Sequence, residues 1–291
     1  MGLGDALYQQ FELGNLPVYQ FSIQQLRWRD TADLQQQLLK HKPTLILNAL
    51  PLELLQADQP EQDIVSCSKK VSEFCRQHSI KLLQLSSALV FAGGDKKAYD
   101  ESEKPQVNTE LGRALVACEE ALTGEFEHWM LLRLTSVINT HGDNLFSHYL
   151  RELVMRGAVE VDPSVRLAPI WMDDALRVTA TMVRQSLAGA ENWGVYHYGS
   201  ADPCSEKEFA QQLIDSIGEL KPGWSAEPIA IAIEDQKKTS SVLKCRRVRN
   251  NFGVHGRTWR QGLKARIQFW LDSEGAMFKT KTASLSSMGG D

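Results

Sequence analysis

The chain has 291 residues, of which 43% are hydrophobic and 23% charged, with a formal net charge of -4. That length holds one large domain or two unequal ones around a substantial core, and the composition excludes a disordered chain. The acidic balance gives no general attraction to nucleic acid or anionic membranes. No apolar run reaches the roughly 18 residues of a membrane-spanning helix.

Met1-Gly2-Leu3-Gly4-Asp5 lacks the basic and apolar regions of a signal peptide. Five cysteines, at 67, 75, 118, 204 and 245, form no C-x-x-C pair and leave one over. Free thiols in a reducing cytoplasm are the expected state.

In chain order, Asp30 or Thr31 caps a helix whose Leu34, Leu38 and Leu39 share one face. Pro43 ends it, and Thr44 to Ala49 reads as a buried strand. Ile64, Cys67, Val71, Phe74 and Cys75 mark one side of the next helix. Ile80 to Leu85 is a strand that runs through Ser86-Ser87 into Leu89-Val90-Phe91. A polar loop with Gly93, Gly94 and Asp95 leads to a helix over Thr109–Leu122, and Trp129 to Val137 is a further strand. Strands separated by helices, with no hairpin signals, predict a parallel sheet covered on both faces.

Later helices are expected near 143–157, 172–188, 205–217 and 258–271, with short strands at 159–161, 194–198 and 228–233. Residues 273–291, rich in Lys, Thr, Ser and Gly, are expected to be a disordered tail.

An ordered set of stretches resembles the dTDP-4-dehydrorhamnose reductase family of extended short-chain dehydrogenases/reductases. Leu3-Gly4-Asp5-Ala6-Leu7 is similar to the end of that family's glycine-rich turn and the start of its first helix. Asn48-Ala49 matches a strand tip near the cofactor. Ser86 to Gly93 resembles the family's S-T-D-Y-V-F-D-G, and Tyr99-Asp100-Glu101 its Y-x-E. Leu132 to Ser136, Pro169 to Asp174, Asn251-Phe252-Gly253 and Trp259-Arg260 continue the series.

The resemblance implies an α/β, Rossmann-type doubly wound parallel sheet with a smaller C-terminal α/β substrate-binding domain. Residues 1–140 would form the dinucleotide-binding part and 141–272 a mixed region contributing the substrate-binding domain. Because Met1 falls inside the glycine turn, the first strand of that sheet is expected to be missing or truncated. The resemblance also implies a nucleotide-sugar or dinucleotide ligand, with NAD or NADP possible at an incomplete site. Gly2, Gly4, Asn48, Ala49 and Ser86 would face the cofactor; Ser87, Arg246 and Arg247 would face the substrate.

The family's chemistry rests on a Tyr and a Lys four residues apart on one helix, one face of which then meets the cofactor. The matching helix reads Leu111-Gly112-Arg113-Ala114-Leu115-Val116-Ala117-Cys118-Glu119, so Leu111 and Leu115 replace the pair. Leucine transfers no proton, and loss of general acid–base help costs about 10²–10⁴-fold in rate. None of the six tyrosines has a Lys four residues on. Ser87 alone survives from the catalytic trio. Read without the family, Leu111, Leu115, Cys118 and Leu122 are an ordinary apolar helix stripe.

Three functions follow. The first is a ligand-binding relative with lost or altered catalysis, serving as a sensor or as a subunit of a protein partner. The second is a working NAD(P)H-dependent reductase or epimerase with a non-standard acid, and the third a protein–protein scaffold. His141, Asp143 and His148 lack a standard ligand spacing, so no metal is expected. The basic stretch from Lys237 to Arg260 is either a diphosphate grip or a solvated, partner-facing surface.

Overall fold

In the computed structural model the described residues are 2–55, 61–91, 96–122, 126–230 and 240–273. The first part of the chain contains α1 (Leu3–Leu13), α2 (Thr31–Leu39), β1 (Leu45–Asn48), α3 (Leu50–Glu53), α4 (Glu61–His78), β2 (Lys81–Ser87), a 3-10 turn (Ala88–Phe91), α5 (Glu110–Glu120) and β3 (Trp129–Leu134). There follow β4 (Val137–Ile138), α6 (Leu145–Arg156), β5 (Ala158–Val161), β6 (Arg166–Leu167), β7 (Ile170–Trp171) and α7 (Met172–Leu187). The last elements are β8 (Gly194–Tyr198), β9 (Cys204–Ser205), α8 (Glu206–Leu220), β10 (Glu227–Ala230), α9 (Arg246–Phe252) and α10 (Leu263–Ser273).

The principal sheet is parallel, in the order β1-β2-β3-β8. Period-two alternation sends Ile46, Leu82, Leu131 and Val195 to one face, where α4 and α5 cover them. Leu47, Leu83, Leu132 and Tyr196 go to the other, against α1, α7 and α9. Helices on both faces of a parallel sheet make a Rossmann-type α/β layer. A separate core is built on Phe146, Trp171, Phe209, Trp259 and Trp270, which marks the C-terminal subdomain. Its strands form three short pairs, β4 with β7, β5 with β10 and β6 with β9.

Helix starts follow local chemistry. The Asp30 carboxylate accepts from the backbone N–H groups of Ala32 and Asp33, so Asp30 rather than Thr31 caps α2. Thr109 caps α5 through the Gly112 N–H, and Ser205 with Glu208 forms a reciprocal box on α8.

Several expectations need correction. Leu39 is 42% exposed and does not share the buried face of Leu34 and Leu38. Leu89-Val90-Phe91 is 3-10 turn, not strand. The strand expected to reach Val137 ends at Leu134, because the Thr135 hydroxyl bonds the Ala168 carbonyl and turns the chain toward the second core. Pro17 to Phe21 forms no strand. The last helix starts at Leu263 rather than 258: the Trp259 indole donates to the Asp202 carbonyl, and Gly262 sits at φ 72°. Gly93, Gly94, Asp95 and residues 274–291 lie outside the described residues, as do Lys237, Lys238 and residues 231–233.

All five cysteines are free, and burial pushes the Cys67 and Cys75 thiols up to about 12. Among the described residues no helix is long and apolar enough to cross a membrane, and no His, Cys, Asp and Glu group could hold a metal ion.

Candidate functional site

Open parallel sheets present ligands at the carboxyl ends of their strands. Here those ends are Asn48-Ala49, Ser86-Ser87, Thr135 and Tyr198-Gly199. A cavity of about 550 Å³ lies beside the first of them, and four of the five expected cofactor residues line it: Gly2, Gly4, Asn48 and Ala49.

At Gly4 a Cβ would make an ordinary contact, 3.6 Å from the Ala49 Cβ, so the start of α1 lies against the residue that follows β1. The Asn48 amide donates to Gln84 Oε1 at 3.0 Å, and its Oδ1 accepts from the Leu50 N–H at 3.2 Å. Asn48 therefore joins the end of β1 to β2 and to the start of α3.

The start of α1 is closed by a carboxylate. Asp5 Oδ2 accepts from the Gly2 N–H at 3.2 Å, and Oδ1 accepts from Gln20 Nε2 at 2.6 Å. Half-buried Glu53 also lines the cavity; burial, then the charge of Asp5, raises its pKa. A dinucleotide diphosphate needs free N–H groups and a positive end at such a helix start. Here the Asp5 carboxylate occupies the Gly2 N–H and sets negative charge beside the helix start.

Ser86, the fifth expected cofactor residue, is fully buried away from this cavity. Its hydroxyl donates to Glu119 Oε1 at 2.6 Å. Glu119 is held by Arg133, and Arg133 Nη1 donates to His197 Nε2 at 3.3 Å. Burial, then the Arg133 charge, lowers the His197 pKa to about 3, so the ring is neutral. Phe91 lies against the guanidinium at 5.1 Å and stacks on Tyr99 at 4.3 Å. This charged network is internal, and Ser86 belongs to it.

The expected substrate residues are not brought together. Ser87 ends β2 almost buried, its Oγ accepting from the Leu89 N–H at 3.3 Å. Arg247 donates to the carbonyls of Val195 and Trp193, each at 2.8 Å. Val195 pairs with Leu131 and so lies level with Gln84, three residues short of Ser87. Arg247 anchors the amino end of β8 instead of facing a ligand. Arg246 is exposed at the start of α9, where its charge is felt by Asp100.

A second group at the carboxyl end of β8 was missed as a unit. Buried Asp174 accepts from the Tyr198 hydroxyl at 2.9 Å and from Arg177 Nε at 2.9 Å. Arg177 also reaches the His255 carbonyl at 2.9 Å, which ties α7, β8 and the loop after α9 together. Burial, then Asp174, raises the Tyr198 pKa. Arg257, half exposed, stands 3.6 Å from Asp174 at the rim of this group. The alternation of Gly194 to Tyr198 puts His197 on the Val195 face, a polar residue on a buried side, which was the available signal for the Arg133 network and not for this second group.

The helix that would carry proton transfer is packed as core. Leu115 is fully buried and Leu111 packs against the same cluster, with Cys118 and Leu122.

The RmlD substrate binding domain family matches residues 2–270. The chain belongs to that family. A dTDP-4-dehydrorhamnose reductase of Burkholderia thailandensis is 26% identical over 190 residues, 60% of this chain and 63% of the relative, just under two thirds of its length. A dTDP-4-keto-6-deoxy-D-glucose reductase of Streptomyces niveus is 24% identical over 210 residues, 70% and 71% of the two chains. A dTDP-4-dehydrorhamnose reductase of Bacillus anthracis, solved in complex with NADP, superposes with a TM-score of 0.73 at 18% identity, covering 90% of this chain and 94% of that one. A dTDP-4-dehydrorhamnose reductase of Clostridium acetobutylicum gives 0.76 at 17%, covering 92% and 96%. At such identities the structural likeness establishes the fold, and the RmlD family architecture is the one described above.

Proposed function

We propose that this RmlD-family chain binds a nucleotide-sugar at the carboxyl ends of β2, β3 and β8 without reducing it, as a sensor or as a subunit of a larger assembly. The observation that carries this reading is Leu115, fully buried with Leu111 packed beside it on the face where a reductase needs a proton donor. Hydride transfer to a carbonyl leaves an alkoxide that must be protonated, and leucine provides neither acid nor pKa partner.

The retained architecture supports ligand binding. The relatives named above are nucleotide-sugar reductases, the family match spans residues 2–270, and the described residues superpose on solved reductases of that kind. Arg257 at the rim of the β8 end offers a guanidinium suited to a diphosphate. NAD or NADP is the less favoured ligand, because Asp5 closes the start of α1. Division at 140/141 into a dinucleotide part and a substrate part remains part of this proposal.

The test pairs binding with turnover. Thermal shift with dTDP, UDP and their sugars should show stabilisation, and NADPH with a 4-keto sugar nucleotide should show no consumption. Turnover that disappears in Ser87→Ala would replace this reading with the working reductase.

A further inference from the structure

Arg257 is rooted firmly and held loosely. Its carbonyl accepts from the Ser200 hydroxyl at 3.0 Å and from the Ala201 N–H at 3.1 Å. The preceding Gly256 lies so close to the turn after β8 that a Cβ there would stand 2.8 Å from the Gly199 carbonyl oxygen. Gly199 in turn lies on Thr135, whose Cγ2 would be 2.7 Å from a Cβ added to that glycine. The backbone of Arg257 is thus fixed at the carboxyl ends of β3 and β8. Its side chain is more than half exposed, and its Nε stands 3.6 Å from Asp174 Oδ1, beyond hydrogen-bond distance.

Asp174 does not depend on that contact. Its Oδ1 accepts from Arg177 through Nε at 2.9 Å and Nη2 at 2.8 Å, and its Oδ2 accepts from the Tyr198 hydroxyl at 2.9 Å. Both oxygens are engaged before Arg257 is counted. Two guanidinium groups share one buried carboxylate, so the group carries one positive charge in excess, on the side chain that reaches solvent. An ion pair this long and this exposed contributes little. A phosphate would offer the same guanidinium two parallel, charge-assisted hydrogen bonds.

We propose that Asp174 holds the Arg257 guanidinium in the ligand-free chain and yields it to the diphosphate of a bound nucleotide. Resting on the nucleotide-sugar reading above, this exchange makes Asp174 the residue that regulates the affinity of the site. Asp174 is a positioning residue, acting through Arg257: its charge competes with the ligand's for one side chain. Arg177 and Tyr198 keep the carboxylate satisfied after Arg257 has left, so release strands no buried charge. They also bond the His255 carbonyl, at 2.9 and 3.3 Å, and so hold the loop that carries Arg257 in place throughout.

The test measures the Kd of dTDP by calorimetric titration for the natural chain and its variants, with exposed Lys207→Gln as the control for a cation lost elsewhere. Arg257→Gln should weaken binding at least about tenfold, and Asp174→Asn should tighten it about two- to fivefold. That gain should vanish when the two are combined, because it acts through Arg257. Unchanged affinity in Arg257→Gln, a loss no greater than that of Lys207→Gln, or a gain that persists in the double variant would overturn the proposal while leaving nucleotide binding intact. A natural chain that binds no dTDP removes the nucleotide reading and the proposal with it. Should Asp174→Asn fail to fold, the Arg257 Nε resonance of the natural chain decides, assigned through its absence in Arg257→Gln. Its movement on addition of dTDP supports the exchange of partners, and a fixed resonance overturns it.

Discussion

Arg133 grips Glu119 through Nε at 3.0 Å and Nη2 at 2.6 Å, and both side chains lie almost wholly out of water. The pair joins β3 to α5 and also holds the Ser86 hydroxyl and the His197 ring. Such a pair contributes little net stability compared with an apolar replacement, yet breaking it leaves one charge buried and uncompensated. Glu119→Gln, nearly isosteric, should cost about 3–5 kcal/mol by urea denaturation. A loss below about 1 kcal/mol, the range of exposed pairs, would show that water reaches Arg133.

His197 makes the fold acid-sensitive. Its folded pKa of about 3 lies below the ordinary histidine value of 6.5, so the unfolded chain takes up a proton that the folded chain refuses. The stability this contributes is present in full above pH 6.5 and is lost as the pH falls from 6.5 toward 3. The loss amounts to roughly 2 kcal/mol by pH 5. His197→Asn should flatten the stability profile across that window, and an unchanged slope would assign the acid sensitivity to other groups.

The leucines of α5 are a packing face, and substitution should reveal it. Leu115→Ala should cost about 2–5 kcal/mol, and half-buried Leu111→Ala less than about 2 kcal/mol. Leu115→Lys should destabilise further, since a lone ammonium there has no water, and Leu111→Tyr combined with it should not create a reductase. A stable double variant that consumes NADPH would show that the face still borders an open cofactor site.

Asp5 should act against phosphate ligands. Asp5→Asn removes the charge at the start of α1 while leaving a side chain able to accept from the Gly2 N–H. The variant should show a larger NADP-induced rise in melting temperature than the natural chain. Equal shifts would remove the carboxylate as the barrier.

Much of the fold was legible in the sequence because its signals are local. The apolar runs at Leu45–Asn48 and Lys81–Ser87 and the stripe from Ile64 to Cys75 fall where the strands and α4 stand. What could not be read depended on contacts distant in sequence. Arg247 looked like a diphosphate ligand among basic residues, but its direction is set by the carbonyls of Trp193 and Val195, more than fifty residues away. Ser86 matched a motif, and only the approach of Glu119 from α5 turns it inward. Leu115 was the exception. Its place in an apolar helix stripe could be read from spacing alone, and its full burial in the α5 packing face agrees.

The most direct test of the central claim measures binding and turnover on one preparation. The chain is incubated with a dTDP-4-keto-6-deoxy sugar and NADPH, following both the melting temperature and NADPH absorbance. Retained binding predicts a melting temperature that rises, since ligand at 100 times its Kd stabilises by about 2.7 kcal/mol, while NADPH absorbance stays constant. Steady NADPH consumption, abolished by Ser87→Ala, would contradict the account.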